Sequence, residues 1–321
     1  MQPSPTYSVV VPCFHCEATI AELLDRLKTV FDTLGESFEV ICVEDGGNDD
    51  SAQVIADLCR QDPRIKLIRH FRNYGQHRAI LTGLHHVQGR YVITIDDDLQ
   101  NPPEEIPKLI AALQDNDVVF GKPMLKQHAP FRNLGSRVIH MILRIAFRAP
   151  DTFHASPFRL LRREIVQPML KLDTAYPYLP CILLMVTRRF ESVPVAHAAR
   201  TRGRSNYNLW RLFALASNLL INYTKIPLHL MTAAGFGISL VSFLLILQVV
   251  ARRLLSDTYQ PGWTSVIVTV VFFGGLNLMA LAVICEYLIR ILNEATGNRR
   301  VLIREQVPDD ATATMNGDTE R

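Results

Sequence analysis

At 321 residues the chain is too long for one ordinary domain. Its 48% hydrophobic content and net charge of only +3 exclude both a disordered chain and a strongly basic nucleic-acid binder. A soluble domain joined to a more apolar part is expected. The N-terminus MQPSPTYSVVVP lacks the basic-then-apolar pattern of a signal peptide. YSVVVP predicts a buried strand, TIAELLDRLKTVFDTLG an amphipathic helix ended by Gly35, FEVICVEDGG a strand ending in acids, and DSAQVIADLCRQ a second helix. IKLIRH, HRAILTGLHHVQG and YVITIDDD repeat the cycle. Such repetition predicts a doubly wound, parallel α/β sheet over residues 1–205, with ligands at the carboxyl ends of the strands. Those ends carry Phe14 and His15, Glu44 and Asp45, Arg72 and Asn73, and then three consecutive aspartates.

If Asp96 to Asp98 continue the strand, alternation puts Asp96 and Asp98 on one face and Asp97 on the other. Two carboxylates on one face form an oxygen-only site suited to Mg²⁺ or Mn²⁺ rather than zinc. The competing reading is an acidic turn ahead of a helix that begins near Pro103 with Glu104 and Glu105 in its first turn. An EF-hand fails, because no glycine stands at the sixth position and no glutamate at the twelfth. Six cysteines are scattered along the chain, and CFHC (Cys13 to Cys16) has no second Cys/His pair at zinc spacing. They read as reduced, buried thiols of a cytosolic domain.

Two later stretches carry no charge, Ile226 to Ala251 and Thr258 to Cys285, each longer than the roughly 20 residues that cross a bilayer. They predict a two-helix transmembrane hairpin within residues 226–292. Basic residues crowd both outer flanks, Arg200 to Lys225 before and Arg290 to Arg304 after, which places both termini in the cytoplasm. Residues 131–148 and 206–225 read as amphipathic helices with basic edges, either lying in the bilayer interface or packed as core helices. The tail, residues 293–321, is expected to be cytosolic and disordered after about residue 308.

VVVP, VEDGGNDDS, RNYGQHRAI, IDDDLQNPPEEIP, FRLLRRE and RTRGRSNY, followed by two apolar spans, occur in the order found in family 2 glycosyltransferases. The sequence resembles the membrane-bound polyprenyl-phosphate branch of that family. The resemblance covers the chain to about Val307 and implies a GT-A (Rossmann-like) catalytic domain followed by interfacial helices and two transmembrane helices. It implies that Asp98 is a metal ligand and that Asp96 lies near the metal or the ribose. Pro12, Phe14, Glu44, Asp45, Asn73 and Gln76 match positions around the nucleotide-sugar, Glu44 being the acid that accepts from uracil. Arg159, Arg200 and Ser205 match phosphate-binding positions, whereas on the residues alone the two arginines read equally as solvated surface. The family's proposed base falls at His154, with Asp151 the nearest aspartate. His15-Cys16 replaces the usual asparagine-glutamate pair, and Asn206 stands where lysine is usual.

The expected protein is an inverting transferase of the inner membrane. It moves a 4-amino-4-deoxy-L-arabinose-type sugar or a hexose from a UDP-sugar to undecaprenyl phosphate at the cytoplasmic face, for lipid A or cell-envelope glycan modification. Expected partners are the donor, the acceptor, the bilayer and, from the family, further copies in a tetramer; no nucleic acid is expected. Two other readings remain: a non-catalytic, membrane-anchored module that binds nucleotide-sugar or lipid, and a glycosyltransferase with another acceptor. The Q-x-x-R-W signature of processive synthases is absent.

Overall fold

The computed structural model describes residues 4–124, most of 141–198, part of 231–248, and residues 262–295 and 301–308. Contacts divide the chain into two units, Met1–Tyr207 with Arg299–Arg321, and Asn208–Asn298.

The first unit is built on an eight-stranded mixed sheet. β1 (Tyr7–Cys13) pairs in parallel with β2 (Phe38–Glu44) on one side and β4 (Tyr91–Thr94) on the other, and β2 pairs in parallel with β3 (Ile65–His70). The connecting helices are α1 (Ile20–Leu34), α2 (Ser51–Gln61) and α3 (Gln76–His85). The predicted parallel sheet holds for these four strands only. β6 (Arg159–Arg162) runs antiparallel between β4 and β5 (Val118–Pro123), and β7 (Phe190–Val195) lies parallel to β5 at the far edge. β8 (Ile303–Val307) pairs antiparallel with β3. The sheet order is therefore β7-β5-β6-β4-β1-β2-β3-β8. Part of the expected tail thus belongs to the sheet, where it covers a strand edge that would otherwise offer unpaired N–H and C=O groups.

Every residue of β1 and β2 is buried, which is why their sequences read as continuous apolar runs rather than alternating ones. α1 turns Ile20, Leu23, Leu24, Leu27 and Phe31 onto the sheet, all at most 1% exposed. Each such side chain contributes about 1.5–3 kcal/mol. Gly35 ends α1 as expected, at φ 67°. The acid-rich turn after β4 leads to a 3-10 turn at Pro103–Glu105 and then α4 (Ile106–Leu113). Glu104 is bound by Arg26 and Glu105 by Lys108, so these two acids are taken up in ion pairs away from the aspartates. α5 (Val166–Lys171) and α6 (Leu179–Val186) complete the unit.

In the second unit, α7 (Trp263–Ala295) is 33 residues long, and its stretch Phe272–Ile289 has mean hydropathy 1.8. It is long and apolar enough to cross a bilayer. Val270, Leu278, Leu281 and Leu288 are more than half exposed on it. The described positions between 231 and 248 are also helical. Most of the first predicted span, the 206–225 helix and most of 131–148 lie outside the described residues.

Candidate active site

The order in which strands are added reverses at β1: β2 and β3 extend the parallel sheet to one side, and β4 is added on the other. Such a switch point opens a crevice at the carboxyl ends of the strands. A cleft of about 280 Å³ lies there. The end of β1 supplies Pro12, Cys13 and Phe14, the end of β2 supplies Asp45, and the start of α3 supplies Gln76 and Ala79, preceded by Asn73 and Gly75. Asp96, Asp97 and Asp98 close it from the β4 side.

All three aspartates line this one cleft, which corrects the expectation that alternation turns Asp97 away. β4 stops at Thr94, so the acids sit in a turn where the period of two no longer applies. Leu99, at φ 59°, completes the turn. Asp97 Oδ2 accepts the Phe14 N–H at 3.0 Å, and the Gln76 amide donates to Asp96 Oδ1. Asp98 accepts from the Gln100 N–H at 3.2 Å and from its side-chain amide at 2.6 Å. Burial, with the charges of Asp98 and Asp97 next, pushes the Asp96 carboxyl up to about 7. Burial likewise pushes Asp97 up to about 6. Crowded carboxylates that resist ionising on their own are a hard-oxygen donor set, which fits a Mg²⁺- or Mn²⁺-class ion.

Arg159 is the cationic counterpart. It opens β6 opposite Thr94 of β4 and is only 2% exposed. Its Nε donates to Thr94 Oγ1 at 3.1 Å, but its buried Nη1 has no partner. Desolvation lowers its pKa to about 10, against the opposing pull of Asp96. His77, in the first turn of α3, also has a buried ring nitrogen without a partner, and burial followed by the Arg159 charge lowers its pKa to about 4. A buried guanidinium with an unmatched N–H is a place for an anion. The α3 N-terminus, which has no side-chain cap on its first turn, lies at the cleft with Gly75 and Gln76 among the lining residues, another anion-favouring feature.

Other expected residues play supporting parts. Asp45 is a buried hub: it accepts the Tyr74 N–H at 2.9 Å, the Gly75 N–H at 2.7 Å and a 2.8 Å bond from His70, whose other ring nitrogen meets Thr82. It thereby shapes the Asn73–Gln76 segment. Sequence reasoning missed His70; its one signal was a polar residue ending an apolar strand. Glu44 does not line the cleft, and its carboxylate is taken up by the Gly47 N–H and Arg69. Gly46, at φ 65°, packs so closely on Arg72 and Asn73 that a Cβ would overlap their backbone, 2.6 Å from Asn73 N. Asp151 is 84% exposed and paired with Arg144 at 2.9 Å. Neither it nor His154 lines the cleft. Arg200 and Ser205 lie outside the described residues. The chain leading to them is anchored beside the aspartates, because the Ala198 N–H donates to the Gln100 carbonyl at 2.9 Å.

A mixed sheet with an antiparallel strand beside β4, and acids in the turn after β4, is the architecture of GT-A glycosyltransferases. The chain belongs to glycosyl transferase family 2, whose model matches residues 8–170. It is 32% identical over 323 residues to the undecaprenyl-phosphate 4-deoxy-4-formamido-L-arabinose transferase of Klebsiella pneumoniae, covering 98% of each chain. The Salmonella typhimurium enzyme of the same name is 32% identical over 314 residues, covering 97% of this chain and 96% of that one. Among solved structures, glucosyl-3-phosphoglycerate synthase from Mycobacterium tuberculosis, in complex with Mn²⁺, UDP and glucosyl-3-phosphoglycerate, superposes with TM-score 0.51 at 19% identity. That match covers 68% of this chain and 78% of the synthase.

Proposed function

We propose that the protein transfers a sugar from a UDP-sugar to undecaprenyl phosphate at the cytoplasmic face of a membrane in which residues 226–292 form a two-helix hairpin. The observation that carries this reading is the pairing of the Asp96–Asp98 turn with the buried, unmatched Arg159 at the switch point. The turn lines the cleft and fits a divalent cation; Arg159 is not itself a lining residue, but its buried positive charge, which acts on Asp96, favours an anion nearby. The acceptor follows from similarity along almost the whole chain to transferases named for undecaprenyl phosphate. The donor sugar is of the 4-amino-4-deoxy-L-arabinose type, with a hexose as the other candidate. Incubating the purified protein with undecaprenyl phosphate and a panel of UDP-sugars, with mass spectrometry of the lipid, tests it. One glycosylated lipid is expected, and none from any donor refutes the reading. Topology has its own check: reporters after Arg321 and within Ser256 to Pro261 should lie on opposite sides of the membrane.

In this reading Asp96 and Asp98 hold a Mg²⁺ or Mn²⁺ ion, which when bound neutralises charge on the departing UDP. Phe14 and Asn73 flank the nucleotide, and the α3 N-terminus and Arg159 face its diphosphate. Arg200 and Ser205, just beyond the segment hydrogen-bonded to Gln100, receive the acceptor phosphate. Direct attack of a phosphate oxygen on the anomeric carbon inverts its configuration.

The chain's carboxylates should make cation binding depend on pH. Asp96 and Asp97 have folded-state pKa values of about 7 and about 6, raised above the ordinary 3.8. Stability is therefore unaffected by them at pH below 3.8, falls as pH rises from there, and the loss is complete at about 6 for Asp97 and about 7 for Asp96. A bound cation removes that penalty. The rise in Tm on adding Mn²⁺ should be larger at pH 8 than at pH 6, and an equal rise at both would contradict the assignment.

No general base is required. A phosphate monoester has a second pKa of about 6 and arrives mostly dianionic. This agrees with the absence of His154 and Asp151 from the cleft lining. His154→Ala and Asp151→Asn should each lower kcat by less than about 30-fold, below most of the 10²- to 10⁴-fold range of a lost base. A loss above about 10³-fold in His154→Ala, with the KM for lipid unchanged, would make the histidine the base.

A further inference from the structure

Five of the six cysteines are buried, and two of them meet an acid. The ligand atoms of Cys13, Cys16 and Asp97 all lie within 4.8 Å of one another. Cys13 ends β1, Cys16 follows the Phe14-His15 corner, and Asp97 comes from the turn after β4. The Cys42 thiol of β2 also neighbours Cys13, so the sulfur environment is a cluster rather than one pair. Cys13 and Asp97 both line the cleft, which gives an ion a way in.

We propose that Cys13, Cys16 and Asp97 bind a thiophilic divalent cation of the zinc class, at a site separate from the oxygen site of Asp96 and Asp98. Two thiolates and one carboxylate are a borderline-soft donor set, which favours zinc over magnesium. A tetrahedral zinc ion, with sulfur at about 2.3 Å and oxygen at about 2.0–2.2 Å, spaces its ligand atoms a little under about 4 Å apart. The 4.8 Å span of the cluster exceeds that spacing by roughly 1 Å, so binding would draw the three side chains together. Binding releases the two thiol protons to solvent, including the one Cys13 now directs at the Val11 carbonyl, 3.4 Å away. The consequence is mechanical. Phe14 already donates its N–H to Asp97, and a cation bridging both ends of the Cys13–Cys16 loop to Asp97 fixes that loop, and the Phe14 ring it carries, against the aspartate turn. The inference rests on this cluster alone and does not depend on the sugar or acceptor.

The test uses the full-length protein in detergent with a phosphine reductant and excess Mg²⁺ to occupy the oxygen site. It is titrated with Co²⁺ alone and then with Zn²⁺ alone. The expected result is a thiolate-to-cobalt charge-transfer band that saturates at about one equivalent and is discharged by about one equivalent of Zn²⁺. Cys16→Ser should abolish the band and weaken Zn²⁺ binding by more than the roughly 10- to 100-fold typical of a lost supporting partner. Asp98→Asn should keep the band. Absence of the band in the unaltered protein overturns the proposal whether or not Cys16→Ser folds. A band that survives in Cys16→Ser, or disappears in Asp98→Asn, overturns it as well.

Discussion

Asp98→Asn is expected to lower kcat by about 10³-fold or more, the loss of several kcal/mol of charge stabilisation, while Tm stays within about 2 °C. The substitution keeps the volume and one oxygen, so one of the two Gln100 donors keeps its acceptor and the other loses it. What goes is a negative charge in the turn that fits a divalent cation. Removing it also relieves repulsion on Asp96, whose carboxyl is raised partly by Asp98. The lost Gln100 bond and the relieved repulsion oppose each other, so the fold should change little in stability. Mn²⁺ affinity should fall in parallel with kcat, and full turnover with lost Mn²⁺ binding would separate metal from chemistry. Asp97 supplies the contrast. Its carboxylate holds the Phe14 N–H, so Asp97→Ala should act mainly through the KM for the UDP-sugar.

Arg159→Met should divide activity from stability. Turnover is expected to drop by about 10²-fold or more, as for other groups that stabilise developing charge in a closed site. Tm should hold or rise. A buried cation with an unmatched N–H costs free energy in the folded protein, and the acid it leaves behind, Asp96, has a carboxyl raised to about 7 and can stay protonated below that pH instead of standing as an unpaired buried charge. The methionine does leave Thr94 Oγ1 without its 3.1 Å donor, though that hydroxyl keeps its own bond to the Pro157 carbonyl. A collapse of Tm with turnover preserved would make Arg159 a structural residue and empty the phosphate assignment.

The central strands were legible because β1 and β2 write their burial as stretches rich in Val and Ile, and β3 as buried Ile65, Leu67 and Ile68 between charged residues. Helix ends were legible where a particular backbone shape was demanded, as at Gly35. The acids could be placed at strand ends but not on faces. β4 gives way after Thr94, and the hydrogen bonds that bend the turn come from Phe14, Gln76 and Gln100, none of which the local pattern shows. Arg159 was marked by the family resemblance, while on its residue type alone it read equally as solvated surface; its burial comes from the β4–β6 pairing. β8 was hidden. IREQV is largely polar and half-exposed, so nothing in its composition marks it as the strand that completes the β3 edge. The meeting of Cys13 and Cys16 with Asp97 depends on β1 and β4 being neighbours, which is a property of topology and not of spacing.

The most direct test of the account is UDP release by the purified protein, measured with undecaprenyl phosphate, with undecaprenol and with no lipid. An acceptor that arrives as an anion needs no base, whereas a hydroxyl acceptor does. The account predicts rapid UDP release with undecaprenyl phosphate, at least about 10²-fold slower release with undecaprenol, and no more than background without lipid. Equal rates with the phosphate and the alcohol, or release indifferent to lipid, would contradict it.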